Sequence, residues 1–179
     1  MNHDSKQNYF ELFGLPVEFQ LDTRLLHDNH QKLQSAFHPD RFVNATDQER
    51  RIAVQQASMI NQAYDTLHNP VQRARYMLRV AGVETNDSQT TQDASFLMEQ
   101  IEMREELDQC RSCQDPMRCC DHITGKLEQR SAQYAHQFTE LYSAGRYDEA
   151  NQVSRKMLFV ERVGEQIDEY QLEIEEKLF

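Results

Sequence analysis

A chain of 179 residues holds one ordinary domain or two small ones; with 5 glycines, 4 prolines, no tryptophan and abundant Glu, Gln, Leu, Ala and Arg, the expected class is all-α. The formal charge of −11 is lopsided, since residues 1–81 carry nine Lys/Arg against nine Asp/Glu and residues 82–179 carry the whole excess. An acidic second half repels phosphate backbones and anionic lipid, so nucleic acid and membrane are poor partners, and the change of charge marks a change of domain.

Residues 1–8 are polar, and no run elsewhere approaches membrane-spanning length, which predicts a cytoplasmic protein. In that reducing setting the four cysteines are expected to be free thiols or metal ligands rather than disulfides. Asn44-Ala45-Thr46 fits the glycosylation pattern, but a cytoplasmic chain never meets the enzyme.

Residues 8–13 form a short aromatic helix candidate stopped by Gly14 and Pro16, with too few turns to stand without tertiary contacts. Asp22 is placed to cap a helix running to about Phe37, with Leu26, Leu33 and Phe37 on one face and a stop at His38-Pro39. Thr46-Asp47-Gln48-Glu49 reads as a capping box, opening a helix whose stripe is Ala53, Ala57, Ile60, Tyr64 and Leu67. Asn69-Pro70 ends that helix and opens another, carrying Val71, Ala74 and Leu78 to a stop at Gly82.

Residues 83–91 are polar and aperiodic, the pattern of a linker between a domain over 1–82 and a second over 92–179. Three longer helices are expected beyond it, over about 92–110, 117–142 and 147–178, with Asp115-Pro116 and Ala144-Gly145 between them. The second turns Ile123, Leu127, Tyr134, Phe138 and Leu141 inward. The third repeats Val153, Met157, Val160, Val163, Ile167, Tyr170, Ile174 and Leu178 in a near-heptad pattern that suits an antiparallel three-helix bundle.

His38-Pro39-Asp40 falls between two antiparallel amphipathic helices, after the short helix Tyr9-Phe10-Glu11-Leu12-Phe13-Gly14-Leu15. The tripeptide alone is an ordinary helix stop, with Asp40 capping nearby backbone; its position makes the arrangement resemble a J-domain. That resemblance implies that the loop and the preceding helix dock on the nucleotide-binding domain of a seventy-kilodalton heat-shock ATPase. Asp40 would meet an arginine, directed by His38 and Pro39 and flanked by Arg24, Lys32 and Arg41. Docking helices of the family are richly basic, whereas here His27 and His30 accompany only Arg24 and Lys32.

The first bundle helix has more apolar residues than one buried face can use. At about 100° per residue, Phe96, Met103, Leu107 and Cys110 cluster as core, while Leu97, Met98 and Ile101 gather near the opposite side with Glu105. Either the third helix covers this second cluster, or it is an exposed docking patch rimmed by Glu102, Arg104 and Glu105 and extended by Leu158 and Phe159. Phe96-Leu97-Met98-Glu99-Gln100 and Met103-Arg104-Glu105-Glu106-Leu107-Asp108, with Val54-Gln55-Gln56-Ala57, Ile60-Asn61-Gln62-Ala63 and Asn69-Pro70 before Arg73-Ala74, resemble the HscB co-chaperones of bacterial iron-sulfur cluster assembly.

By that likeness the ATPase partner is HscA and the client is the scaffold protein IscU. The scaffold-contact positions are then Leu97, Met98, Ile101, Glu102, Arg104, Glu105 and Phe159; Gln109 stands where the family often has an acidic residue.

Cys110, Cys113, Cys119 and Cys120 form C-x₂-C-x₅-C-C near His122, a spacing that tempts a metal reading but lacks two hairpins of ligands. No metal and no cofactor are expected. No nucleophile-base set, phosphate-cradling loop or paired carboxylates can be assembled, so the chain is expected to be no enzyme; the J-domain resemblance implies that it activates a partner ATPase. The alternatives are a general J-protein with another client and a metal-binding carrier built on the cysteine turn.

Overall fold

The computed structural model describes residues 8–43, 45–85 and 93–178, with the side chains of Pro39, Lys177 and Leu178 outside that set. Asn44, most of the expected linker and the inward placing of Leu178 therefore lie outside the described residues. Among the described residues every regular element is helical. The chain divides into two compact units, Met1–Gly82 and Val83–Phe179.

In the first unit, α1 (Tyr9–Leu12) starts where the Asn8 side chain accepts the Phe10 N–H, and ends before Gly14, whose φ of +63° reverses the chain. So short a helix needs anchors. The Tyr9 N–H donates to the Tyr76 hydroxyl at 2.9 Å, the two tyrosine rings stack at 4.4 Å, and Asn29 donates to the Phe13 carbonyl at 2.9 Å. Burial, the largest effect, pushes the Tyr76 phenol above its ordinary range.

Helix α2 (Thr23–Ala36) is capped by Asp22, and α3 (Asp47–His68) by the full Thr46/Glu49 box. The backbone N–H of Thr46, then its hydroxyl, hold the Glu49 carboxyl below its usual range. Helix α4 (Pro70–Val80) follows at once, Asn69 capping it through the Gln72 N–H.

Phe10, Phe13, Leu26, Ile60, Ala63, Leu67, Ala74 and Leu78 form the core of this unit. Arg73 is buried with them, where periodicity alone gave no reason to place a cation; its guanidinium donates to the Leu67 carbonyl at 2.6 Å and lies 4.9 Å from the centre of the Phe19 ring.

The second unit is built from α5 (Ala94–Arg111), α6 (Pro116–Ser143) and α7 (Tyr147–Leu178). Phe96, Met103 and Leu107 meet Ile123, Leu127, Tyr134 and Phe138 of α6 and Val153, Met157, Val160, Val163 and Ile167 of α7 in one apolar interior. At the start of the expected linker, Asn151 donates to the Glu84 carbonyl at 3.3 Å, tying that residue to α7.

The expectation of unbonded cysteines is corrected: Cys113 and Cys119 are joined in a disulfide, while Cys110 and Cys120 are free and buried. Composition could not foresee it, because the pairing depends on the turn after α5 folding Cys113 back against the first turn of α6.

Candidate functional site

The turn between α2 and α3 is a single 3-10 stretch, Pro39–Phe42, with His38 as its cap. His38 Nδ1 accepts the Asp40 N–H at 3.3 Å, and the Arg41 N–H donates to the His38 carbonyl at 3.0 Å, so a proline and two local hydrogen bonds stiffen the segment. The Asp40 side chain is 86% exposed, one carboxylate oxygen lying 3.6 Å from Nδ1 of the His38 ring. Arg41 reaches back to the Ser35 carbonyl at 3.4 Å, and Lys32 donates to Asn29 at 3.2 Å. Arg24, Lys32 and Arg41 are all exposed. What the arrangement offers is a carboxylate on a stiff turn beside a helix with a thin cationic surface.

Between α2 and α3, where the sequence offers only Arg24 and Lys32 as helix cations, His27 and His30 join an aromatic and imidazole cluster around Tyr64. His30 stacks on Tyr64 at 4.1 Å, His68 stacks on the same tyrosine at 5.3 Å, and His27 meets the Tyr64 hydroxyl at 3.3 Å. Tyr64 is thus a half-buried contact to the neighbouring helix rather than core.

The second surface lies on α5. Asp93 caps the helix through the Phe96 N–H at 3.1 Å, accepts from the Ser95 hydroxyl at 2.6 Å and takes the Lys156 ammonium at 2.7 Å. Those donors, Lys156 first, hold its carboxyl well below the usual carboxylate range. Nearly two turns on, Glu99 accepts from the Tyr134 hydroxyl at 2.8 Å and lies 3.0 Å from Arg130 Nε, a close ion pair. Burial, then Glu99, raises the Tyr134 phenol far above its ordinary range. These anchors turn Phe96, Met103 and Leu107 inward and leave Leu97, Met98 and Ile101 40%, 58% and 50% exposed, so α7 does not cover them.

Glu102, Arg104 and Glu105 stand exposed around that face. Phe159 is half-buried on α7, edge-on to Phe96 at 5.7 Å, with the Arg104 guanidinium 5.9 Å from its centre, so it joins the α5 surface at its border. Sequence reasoning missed Asp93 and Lys156 as the fixing pair. An N-cap residue three positions before a buried phenylalanine was a readable signal; the partner on α7 was not.

A family model described as the HSCB C-terminal oligomerisation domain matches residues 92–168. The co-chaperone protein HscB homolog of Aliivibrio fischeri is 41% identical over 173 residues, 96% of this chain and 98% of that protein. The chain belongs to the HscB co-chaperone family. The solved chaperone HscB from Vibrio cholerae is similar across 96% of this chain and 100% of its own, at 39% identity and a TM-score of 0.83. Human co-chaperone HscB, at 24% identity, has the same fold with a TM-score of 0.86 over 94% of this chain and 84% of its own.

As an HscB-type protein the chain is a non-enzymatic regulator that works with chaperone partners, and its first unit is a J-domain. No helix among the described residues is long and apolar enough to cross a membrane, and no three His, Cys, Asp or Glu among them are placed to hold a metal ion.

Proposed function

We propose that this HscB-family chain docks its J-domain on a dedicated HscA-like heat-shock ATPase and presents to it an IscU-like scaffold protein held on α5, aiding iron-sulfur cluster assembly in the cytoplasm. The carrying observation is the Asp40 carboxylate, 86% exposed on the turn between α2 and α3. A carboxylate on a stiff loop loses little entropy when it meets a guanidinium, and a charge-assisted bidentate pair is among the stronger polar contacts. Arg24, Lys32 and Arg41 would steer the approach, and His38 and Pro39 direct the carboxylate. The scaffold would rest on Leu97, Met98 and Ile101, with Phe159 at the border and Glu102, Arg104 and Glu105 as a charged rim. Holding both partners raises the client's effective concentration at the chaperone, so the rate gain belongs to the ATPase.

The test is a steady-state ATPase titration with this chain, with and without scaffold. Asp40→Asn is expected to leave the rate at its unstimulated level while scaffold binding persists; Leu97→Ala with Phe159→Ala does the reverse. Normal stimulation by Asp40→Asn overturns the docking assignment. A preference of the bundle for unfolded polypeptide over folded scaffold in a pull-down marks a general J-protein instead.

The description of the matched family favours a second reading of the α5 face, self-association. Sedimentation separates the two: a wild-type oligomer that Leu97→Ala and Ile101→Ala dissociate supports self-association, and a monomer leaves the face to the scaffold.

A further inference from the structure

The turn between α5 and α6 gathers all four cysteines of the chain, and neither the docking turn nor the α5 face uses them. An outer pair, Cys113 and Cys119, is already joined. Beneath it lies an inner pair, Cys110 in the last turn of α5 and Cys120 in α6, both buried, with their sulfurs 3.2 Å apart. At that separation the sulfurs are in direct contact, roughly 1 Å beyond the length of a disulfide bond. The pairs are also neighbours along the chain: the Cys113 N–H donates to the Cys110 carbonyl at 3.2 Å, and Cys119 directly precedes Cys120.

An open cavity of about 780 Å³ has Cys110, Cys113 and Cys119 on its wall; Cys110 itself is 2% exposed, so an oxidant held there meets its sulfur when the turn opens locally. Metal binding is the competing use of four sulfurs. The described residues offer no three ligands around one point, and the sulfurs are matched two by two.

We propose that Cys110 and Cys120 are a second disulfide site, closed by exchange with a low-molecular-weight disulfide, so that the α5–α6 turn is a two-rung redox staple. With oxidised glutathione, the Cys110 thiolate attacks one of its sulfurs, expelling one glutathione thiolate and forming a mixed disulfide. The Cys120 thiolate then attacks the Cys110 sulfur and expels the second glutathione. Cys110 and Cys120 give up two protons and two electrons, and the S–S bond of the oxidant is reduced to two thiols. Burial, then the neighbouring Cys110, pushes the Cys120 thiol up to about 12, so its thiolate is scarce at neutral pH and closure is expected to quicken as pH rises.

The sequence itself supplies the assay. Trypsin cuts after Arg104, Arg111, Arg118 and Lys126, leaving Cys110 in residues 105–111, Cys113 in 112–118 and both Cys119 and Cys120 in 119–126. After incubation of the whole chain with oxidised glutathione and alkylation of remaining thiols, an unreduced digest is expected to contain all three peptides as one linked species. Fragmentation between Cys119 and Cys120 should assign Cys110 to Cys120. Recovery of 105–111 as a free peptide alkylated at Cys110 overturns the proposal, as does a bond from Cys110 to Cys119.

Zinc added to the reduced chain is the coordination control: protection of all four thiols from alkylation by one equivalent overturns the staple in favour of a metal site. Oxidation should also raise Tm more in the wild type than in Cys120→Ala, by less than a new loop would give, because the Cys113–Cys119 bond already closes most of the enclosed segment. An equal rise in the two proteins overturns the inner rung; the peptide map, made on the wild type, holds whether or not the variant folds.

Discussion

Lys156 of α7 lies 2.7 Å from the Asp93 carboxylate that caps α5, with its ammonium 5.2 Å from the centre of the Phe96 ring. One side chain therefore ties the third helix of the bundle to both the first capping residue and the first core residue of α5. That tie accompanies the rotation of α5 in which Phe96, Met103 and Leu107 are buried and Leu97 and Met98 face outward.

Because donors lower the Asp93 pKa in the folded state, its contribution to stability is fully present above the unfolded value near about 4 and is lost as pH falls toward the folded value. Asp93→Asn keeps the cap and removes the charge. The wild type should melt higher than the variant at pH 7, and the difference in Tm should shrink steadily below about pH 4. A difference independent of pH sinks this account.

Phe138 is fully buried where α6 meets α7, its ring stacked on Tyr142 at 5.7 Å. Replacing it with alanine removes a ring and leaves a cavity, and is expected to destabilise the bundle by about 4 kcal/mol in urea unfolding followed by circular dichroism.

Exposed side chains behave differently. Met98→Ala and Ile101→Ala should each move the unfolding free energy by less than about 0.5 kcal/mol, since both already face solvent. On the proposed client reading, each weakens scaffold binding by about tenfold in titration calorimetry. Unchanged affinity with unchanged stability removes the face from that interface.

Thr46 closes the capping box that starts α3, its hydroxyl accepting the Glu49 N–H at 3.3 Å while Glu49 returns to the Thr46 N–H at 2.8 Å. Thr46→Ala should cost about 1 kcal/mol and speed hydrogen exchange in the first turn of α3. A fall in ATPase stimulation larger than the lost folded fraction explains would show that the cap also steadies the Asp40 turn.

Much of the fold was legible because its signals are local. Asp22, Thr46 with Glu49, Asn69 with Pro70, and Gly14 and Gly82 at positive φ act on backbone groups within a few residues. The core stripes of α5 and α6 were legible for a related reason: Phe96, Met103, Leu107, Ile123, Leu127 and Phe138 recur at helical spacing, and each is buried. Arg73, Asn151 and Ser154 were not. They are polar residues whose burial depends on partners such as Leu67 and Glu84 that no periodicity announces.

By itself, then, the sequence determined helix boundaries, the turn carrying His38-Pro39-Asp40 and the family resemblance, since capping, proline geometry and side-chain period are properties of neighbouring residues. Only the tertiary structure decided which of the two apolar faces of α5 is left in solvent and which cysteines meet. Both depend on where α6 and α7 lie against α5, and that position comes from contacts such as Asp93 with Lys156 and Glu99 with Tyr134, between residues far apart in the chain.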